Sequence, residues 1–108
     1  MDSLFVYGTL CPGRPNAHIM ENIGGSWEEG YVNGSLEQKG WGADMGYPGI
    51  VLDNSENRVN GYLFSSDNLA ANWQVLDAFE GAEYQRVSVT VTTHSGRKVQ
   101  SWIYMLSQ

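Results

Sequence analysis

One cysteine, Cys11, stands in 108 residues, so no internal disulfide is available, which fits a reducing compartment. Basic residues are also scarce: six Lys and Arg stand against twelve Asp and Glu, for a formal net charge of −6. Non-specific nucleic-acid binding needs clustered positive charge. Here Lys39, Lys98 and the four arginines are scattered, so no nucleic-acid partner is expected. No run approaches the ~20 apolar residues of a membrane span. No basic segment precedes an apolar core at the N-terminus, so no signal peptide is visible. The expectation is a cytoplasmic protein with no membrane partner. His18 and His94 are isolated from each other, and two lone histidines do not make a metal site.

What is present points to one globular domain over residues 1–108. Hydrophobic residues reach 42%, enough for a core, and thirteen glycines imply many turns. "SLFVY" reads as a buried strand and "PNAHIMENIGG" as a short helix stopped by its glycines. "GYVNGSLEQKG" reads as an edge or bulged strand, "WGADMGYPG" as a glycine-punctuated loop, and "GIVLD" and "RVNGYLFSS" as further strands. "SDNLAANWQVLDAFEG" is the best helix, with a Ser/Asp cap signal before it and Gly81 after it. "YQRVSVTVTT" alternates cleanly and, across the "HSG" turn, pairs with "RKVQSWIYML". The order predicts an α+β fold: a small curled or barrel-like sheet with a helix against it.

Within that helix one acid is misplaced. With Leu69 at zero on a helical wheel, Trp73 falls at about +40°, Leu76 at about −20° and Glu80 at about +20°. Glu80 therefore lies in the apolar stripe, while Asp77, at about +80°, is the more ordinary acid at its edge. Burial and the helix C-terminus both disfavour the ionised form of Glu80 and raise its pKa, as a proton shuttle requires. The alternative is a helix that frays before residue 80, leaving Glu80 in solvent.

A second oddity closes the first strand at Tyr7, Gly8, Thr9 and Leu10. Gly8 permits a tight bend and nothing more is needed to explain it. The same turn could instead hold a carboxylate or a developing oxyanion on successive N–H groups, with the Thr9 hydroxyl as a further donor.

Five segments together resemble the gamma-glutamylcyclotransferase-like family, in particular its gamma-glutamylamine cyclotransferase branch. They are "FVYGTL" at 5–10, "YPGIVLD" at 47–53, "VNGYLF" at 59–64, "LDAFEGAEYQRVSVTV" at 76–91 and "WIY" at 102–104. The resemblance implies a small mixed β-barrel with flanking helices. It implies conversion of a small gamma-glutamyl amine or peptide into 5-oxoproline and a free amine, without metal or cofactor. It implies Glu80 as the proton carrier and Tyr7, Gly8, Thr9 and Leu10 as the loop that holds the glutamyl group. Tyr104 is either a substrate-binding candidate, because the family's last strand often points a tyrosine inward, or a core tyrosine with a satisfied hydroxyl. Residues 41–46 look like extra loop against the family pattern, and Trp41 there is a candidate pocket wall.

Other residues carry less. Cys11 has no base tied to it by any motif, which a nucleophilic thiolate would need. Arg86 either meets a substrate carboxylate, lies on the outer sheet face or braces the helix end. Two other functions compete with the enzyme: a non-catalytic module that binds an amino-acid-like ligand, and an interaction protein. A proton shuttle favours the enzyme.

Overall fold

The computed structural model describes residues 2–39, 41, 49–52 and 57–107. Among the described residues, six strands and two helices follow in the order β1 (Asp2–Val6), α1 (Ala17–Ile23), β2 (Ser26–Glu37), β3 (Gly49–Leu52), β4 (Arg58–Ser66), α2 (Trp73–Glu80), β5 (Tyr84–Thr93) and β6 (Lys98–Leu106). The strands lie in the order β3-β2-β4-β1-β6-β5, and β2 also pairs with β5. That last pairing, at Gly30–Thr93 and Tyr31–Thr92, closes five strands into a barrel with β3 added on β2. The sheet is mixed because β1 runs parallel to β6 while the other pairs are antiparallel. The expected α+β barrel with flanking helices is therefore the observed fold. No helix among the described residues is long and apolar enough to cross a membrane.

Alternation along the strands builds two cores from one sheet. Phe5, Val32, Ile50, Val59, Leu63, Val91 and Ile103 come from all six strands and fill the barrel. Leu4, Val6, Phe64 and Tyr104 face the other way and pack with Met20 of α1, with Leu76 of α2 and with Leu69. The period of two thus puts Phe5 inside and Val6 outside, against the helices. Close approach of β1 to β4 depends on Gly61, where a Cβ would collide with the Val6 carbonyl oxygen and the Phe5 ring.

Two expectations need correction. "GYVNGSLEQKG" is not an edge or a lone bulged strand. It is most of β2, the longest strand, which pairs with β4 along its first part and β3 along its last. The "SDNLAANWQVLDAFEG" segment is not one helix either. A single 3-10 turn at Leu69–Ala71 precedes α2, whose N-cap is Asn72. The Asn68 carboxamide donates to the Ile23 carbonyl and the Asn72 carboxamide to the Asn68 carbonyl, both at 2.8 Å. Such side chains compete with helical backbone bonds and break the run. At the far end the expectation holds: α2 continues to Glu80 and stops at Gly81, which has φ 79°.

Candidate active site

Parallel pairing of β1 with β6 brings the ends of both strands to one end of the barrel, where α2 also ends. A cavity opens there, lined by Phe5, Val6, Tyr7, Gly8, Thr9, Leu10, Trp41, Glu80, Tyr84 and Tyr104. It holds about 430 Å³ of empty space, counted out to its open mouth. All six residues singled out from the sequence, Tyr7, Gly8, Thr9, Leu10, Glu80 and Tyr104, meet on its wall. Phe5 and Val6 line it, whereas Leu76 does not and is fully buried in the outer core.

Glu80 sits on the last turn of α2, four residues after the buried Leu76, and so faces the barrel with it. Burial pushes its carboxyl up to about 7. The Trp41 indole N–H donates to the Glu80 carbonyl at 3.0 Å, closing off one carbonyl of the helix end. Trp41 also meets the Phe79 and Tyr84 rings edge-on, at 5.3 and 6.4 Å between centroids. Residues 42–48 lie outside the described residues, so of the 41–46 loop only Trp41 is placed, on the cavity wall.

The sign of the Glu80 shift makes a stability prediction. The folded protein binds this proton more tightly than the unfolded chain does. Its stabilising contribution is complete below the ordinary carboxyl range and is lost as pH rises through about 7. A shift from 4.5 to about 7 corresponds to roughly 3 kcal/mol. Denaturant melts of wild type and Glu80→Gln from pH 4 to 9 should show the variant gaining relative stability across that window. A pH-independent difference would place Glu80 in solvent.

In the turn at 7–10 two carbonyls are spent on the loop. Gly8 accepts from the Cys11 N–H at 3.1 Å and Thr9 from the Asn16 N–H at 2.9 Å. Among the described residues, the N–H groups of Gly8, Thr9 and Leu10 donate to no backbone carbonyl. Tyr7 serves the scaffold: its hydroxyl donates to the Tyr104 carbonyl at 2.8 Å and accepts from the Ile50 N–H at 3.0 Å. Burial first, and the nearby Glu80 charge after it, hold that phenol well above its usual pKa.

Tyr104 is buried, on the face of β6 that looks toward α2 and not into the barrel. Its hydroxyl donates to Asp77 Oδ1 at 2.6 Å. Arg86 grips the same carboxylate through Nε at 3.0 Å and a terminal nitrogen at 3.3 Å. The Arg86 guanidinium lies 4.3 Å from the Trp73 ring centre and 5.1 Å from that of Trp102. Arg86 thus braces the helix end, one of the roles weighed for it. Asp77 is the residue that sequence reasoning missed, since nothing local ties it to a strand end 27 residues on. Cys11 is buried, and burial pushes its thiol up to about 11, which suits packing and not nucleophilic attack.

The profile of the family described as "Gamma-glutamyl cyclotransferase, AIG2-like" matches residues 4–108, and the chain belongs to that family. Among solved structures it is similar to YkqA from Bacillus subtilis, with a TM-score of 0.75 and 28% identity over 98% of this chain and 36% of YkqA. It is also similar to an AIG2-like protein, A2LD1, from Mus musculus, with a TM-score of 0.71 and 28% identity over 99% of this chain and 78% of that one. The chain thus spans well under half the length of YkqA. None of the curated protein sequences matches it.

Proposed function

We propose that this protein is a cyclotransferase that converts a gamma-glutamyl amine or peptide into 5-oxoproline and a free amine. The observation that carries the reading is Glu80, a carboxyl pushed up to about 7 on the wall of a cavity it shares with Gly8, Thr9 and Leu10, whose N–H groups donate to no backbone carbonyl among the described residues. At neutral pH such a group exists in both forms, so it can take a proton in one step and return it in the next.

The chemistry needs little else. The substrate's α-ammonium gives a proton to ionised Glu80. The freed amine attacks the γ-carbonyl carbon, forming the ring C–N bond while the carbonyl π pair moves to oxygen. N–H groups of Gly8, Thr9 and Leu10 stabilise that oxyanion. Collapse restores the carbonyl and breaks the bond to the leaving nitrogen, which takes the proton from Glu80; the second proton of the ring nitrogen then passes through the regenerated Glu80 carboxylate to the freed amine, which departs as an ammonium. The cavity supplies orientation by holding the glutamyl chain bent, which converts ring closure into a favoured geometry.

The test is 5-oxoproline release from a panel of gamma-glutamyl amines and dipeptides. If wild type releases nothing from any of them yet binds one, the protein is a binding module on this fold. With an active substrate, kcat/KM should rise about tenfold per pH unit below the Glu80 pKa and level off above it. An acid limb with its midpoint near 7 is expected. A midpoint near the ordinary carboxyl value would remove Glu80 from the proton step.

A further inference from the structure

Asp77 and Arg86 do not line the cavity that holds Glu80, yet Asp77 accepts a hydrogen bond from the hydroxyl of a residue that does, Tyr104, and Arg86 holds Asp77 in place. A tyrosine hydroxyl carries one proton, and a carboxylate can only accept. Arg86 binds both Asp77 oxygens and is itself held against two indole rings. Its hydrogen bonds, followed by that from Tyr104 and working against partial burial, keep the Asp77 carboxyl below the usual carboxylate range. The Tyr104 phenol is held above its usual value, by burial first and by Asp77 next, so it stays neutral. The single proton of Tyr104 is therefore committed to Asp77, and its hydroxyl oxygen keeps only lone pairs for a ligand. Tyr7 differs, because both its proton and a lone pair are already used by the Tyr104 carbonyl and the Ile50 N–H.

We infer that Asp77 is a positioning residue which fixes the Tyr104 hydroxyl as a hydrogen-bond acceptor, and that this acceptor selects ligands bearing an α-ammonium group. The inference rests on the glutamyl reading of the cavity and adds to it the group that recognises the nitrogen. Tyr104 accepts one ammonium N–H while Glu80, whose charge reaches the Tyr104 phenol, receives the proton that must leave. Ammonium recognition is thereby separated from proton removal.

The experiment compares L-glutamine with glutaramic acid, the same skeleton without its amine, by amide-resolved NMR titration. Wild type should bind L-glutamine about tenfold more tightly, a typical effect for a hydrogen bond to a charged group. Tyr104→Phe should abolish the preference. Asp77→Asn should abolish it as well, since a carboxamide lets Tyr104 turn its proton toward the cavity. The double variant should match Tyr104→Phe alone, because Asp77 acts through that hydroxyl. A preference that survives Tyr104→Phe, or an Asp77→Asn effect that persists in the Tyr104→Phe background, overturns the inference. Tyr104→Phe removes one oxygen atom and decides the matter should Asp77→Asn fail to fold. If both ligands bind wild type equally and it still releases 5-oxoproline, the acceptor inference falls alone. If neither ligand binds wild type, the glutamyl reading falls with it.

Discussion

Glu80→Gln should lose roughly 10²–10⁴-fold in 5-oxoproline release while the fold persists, the range that general acid–base catalysis contributes. The variant keeps the shape of the side chain and its capacity for hydrogen bonds, but it cannot carry a proton. Helix α2 ends at Glu80 with Gly81 turning the chain, and neither feature depends on the carboxyl. Binding of substrate should be largely retained, because orientation comes from the cavity wall and the turn at 8–10. The loss should therefore appear in kcat more than in KM. Turnover by Glu80→Gln at the wild-type rate, measured with the same substrate, would show that another group moves the proton. Glu83→Gln is the control: Glu83 is exposed beyond the end of α2 and should leave turnover near wild type.

The second large effect is on stability. Leu76→Ala should cost about 2–5 kcal/mol, the range for a buried leucine truncated to alanine. Leu76 is fully buried in the core between the helices and the outer face of β1, β4 and β6. It anchors α2, a helix of eight residues that is too short to persist without packing. Chemical denaturation at fixed pH measures the cost. A loss below 1 kcal/mol would mean that α2 docks through Trp73 and Phe79 instead. Release of α2 would also free Glu80 from the cavity wall, so turnover should fall with stability.

Local pattern accounts for part of this molecule. Strict alternation and a glycine turn mark the hairpin of β5 and β6, and Gly96 takes φ 91° there. The position of Glu80 is legible too, although a wheel drawn from Leu69 assumes a longer helix than exists. Glu80 keeps its place because it stands four residues from Leu76 on α2 itself, and spacing within one helix does not depend on where the helix starts. Asn68 and Asn72 mislead, because a cap-forming residue and a helix-interrupting one look alike until their partners are known. The glycines of β2 suggest an edge because glycine weakens a strand in isolation. Gly30 and Gly34 instead allow tight packing, since a Cβ at Gly30 would lie 2.8 Å from the Thr92 carbonyl oxygen and one at Gly34 2.8 Å from that of Val51.

By itself the sequence determined the order of strands and helices, the alternation of β5 and the acid out of place among the apolar neighbours of α2. Those follow from periodicities of two and 3.6 residues, which are local. Only the tertiary structure decided that β2 meets β5, that the ends of β1, β6 and α2 share one rim, and that Asp77 accepts the Tyr104 hydrogen bond. The physical reason is range. Barrel closure joins residues about sixty positions apart, as in Gly30 with Thr93, and the parallel pairing of β1 with β6 joins residues about a hundred apart, as in Phe5 with Ile103. A hydroxyl's direction is set by whichever acceptor that closure brings within reach.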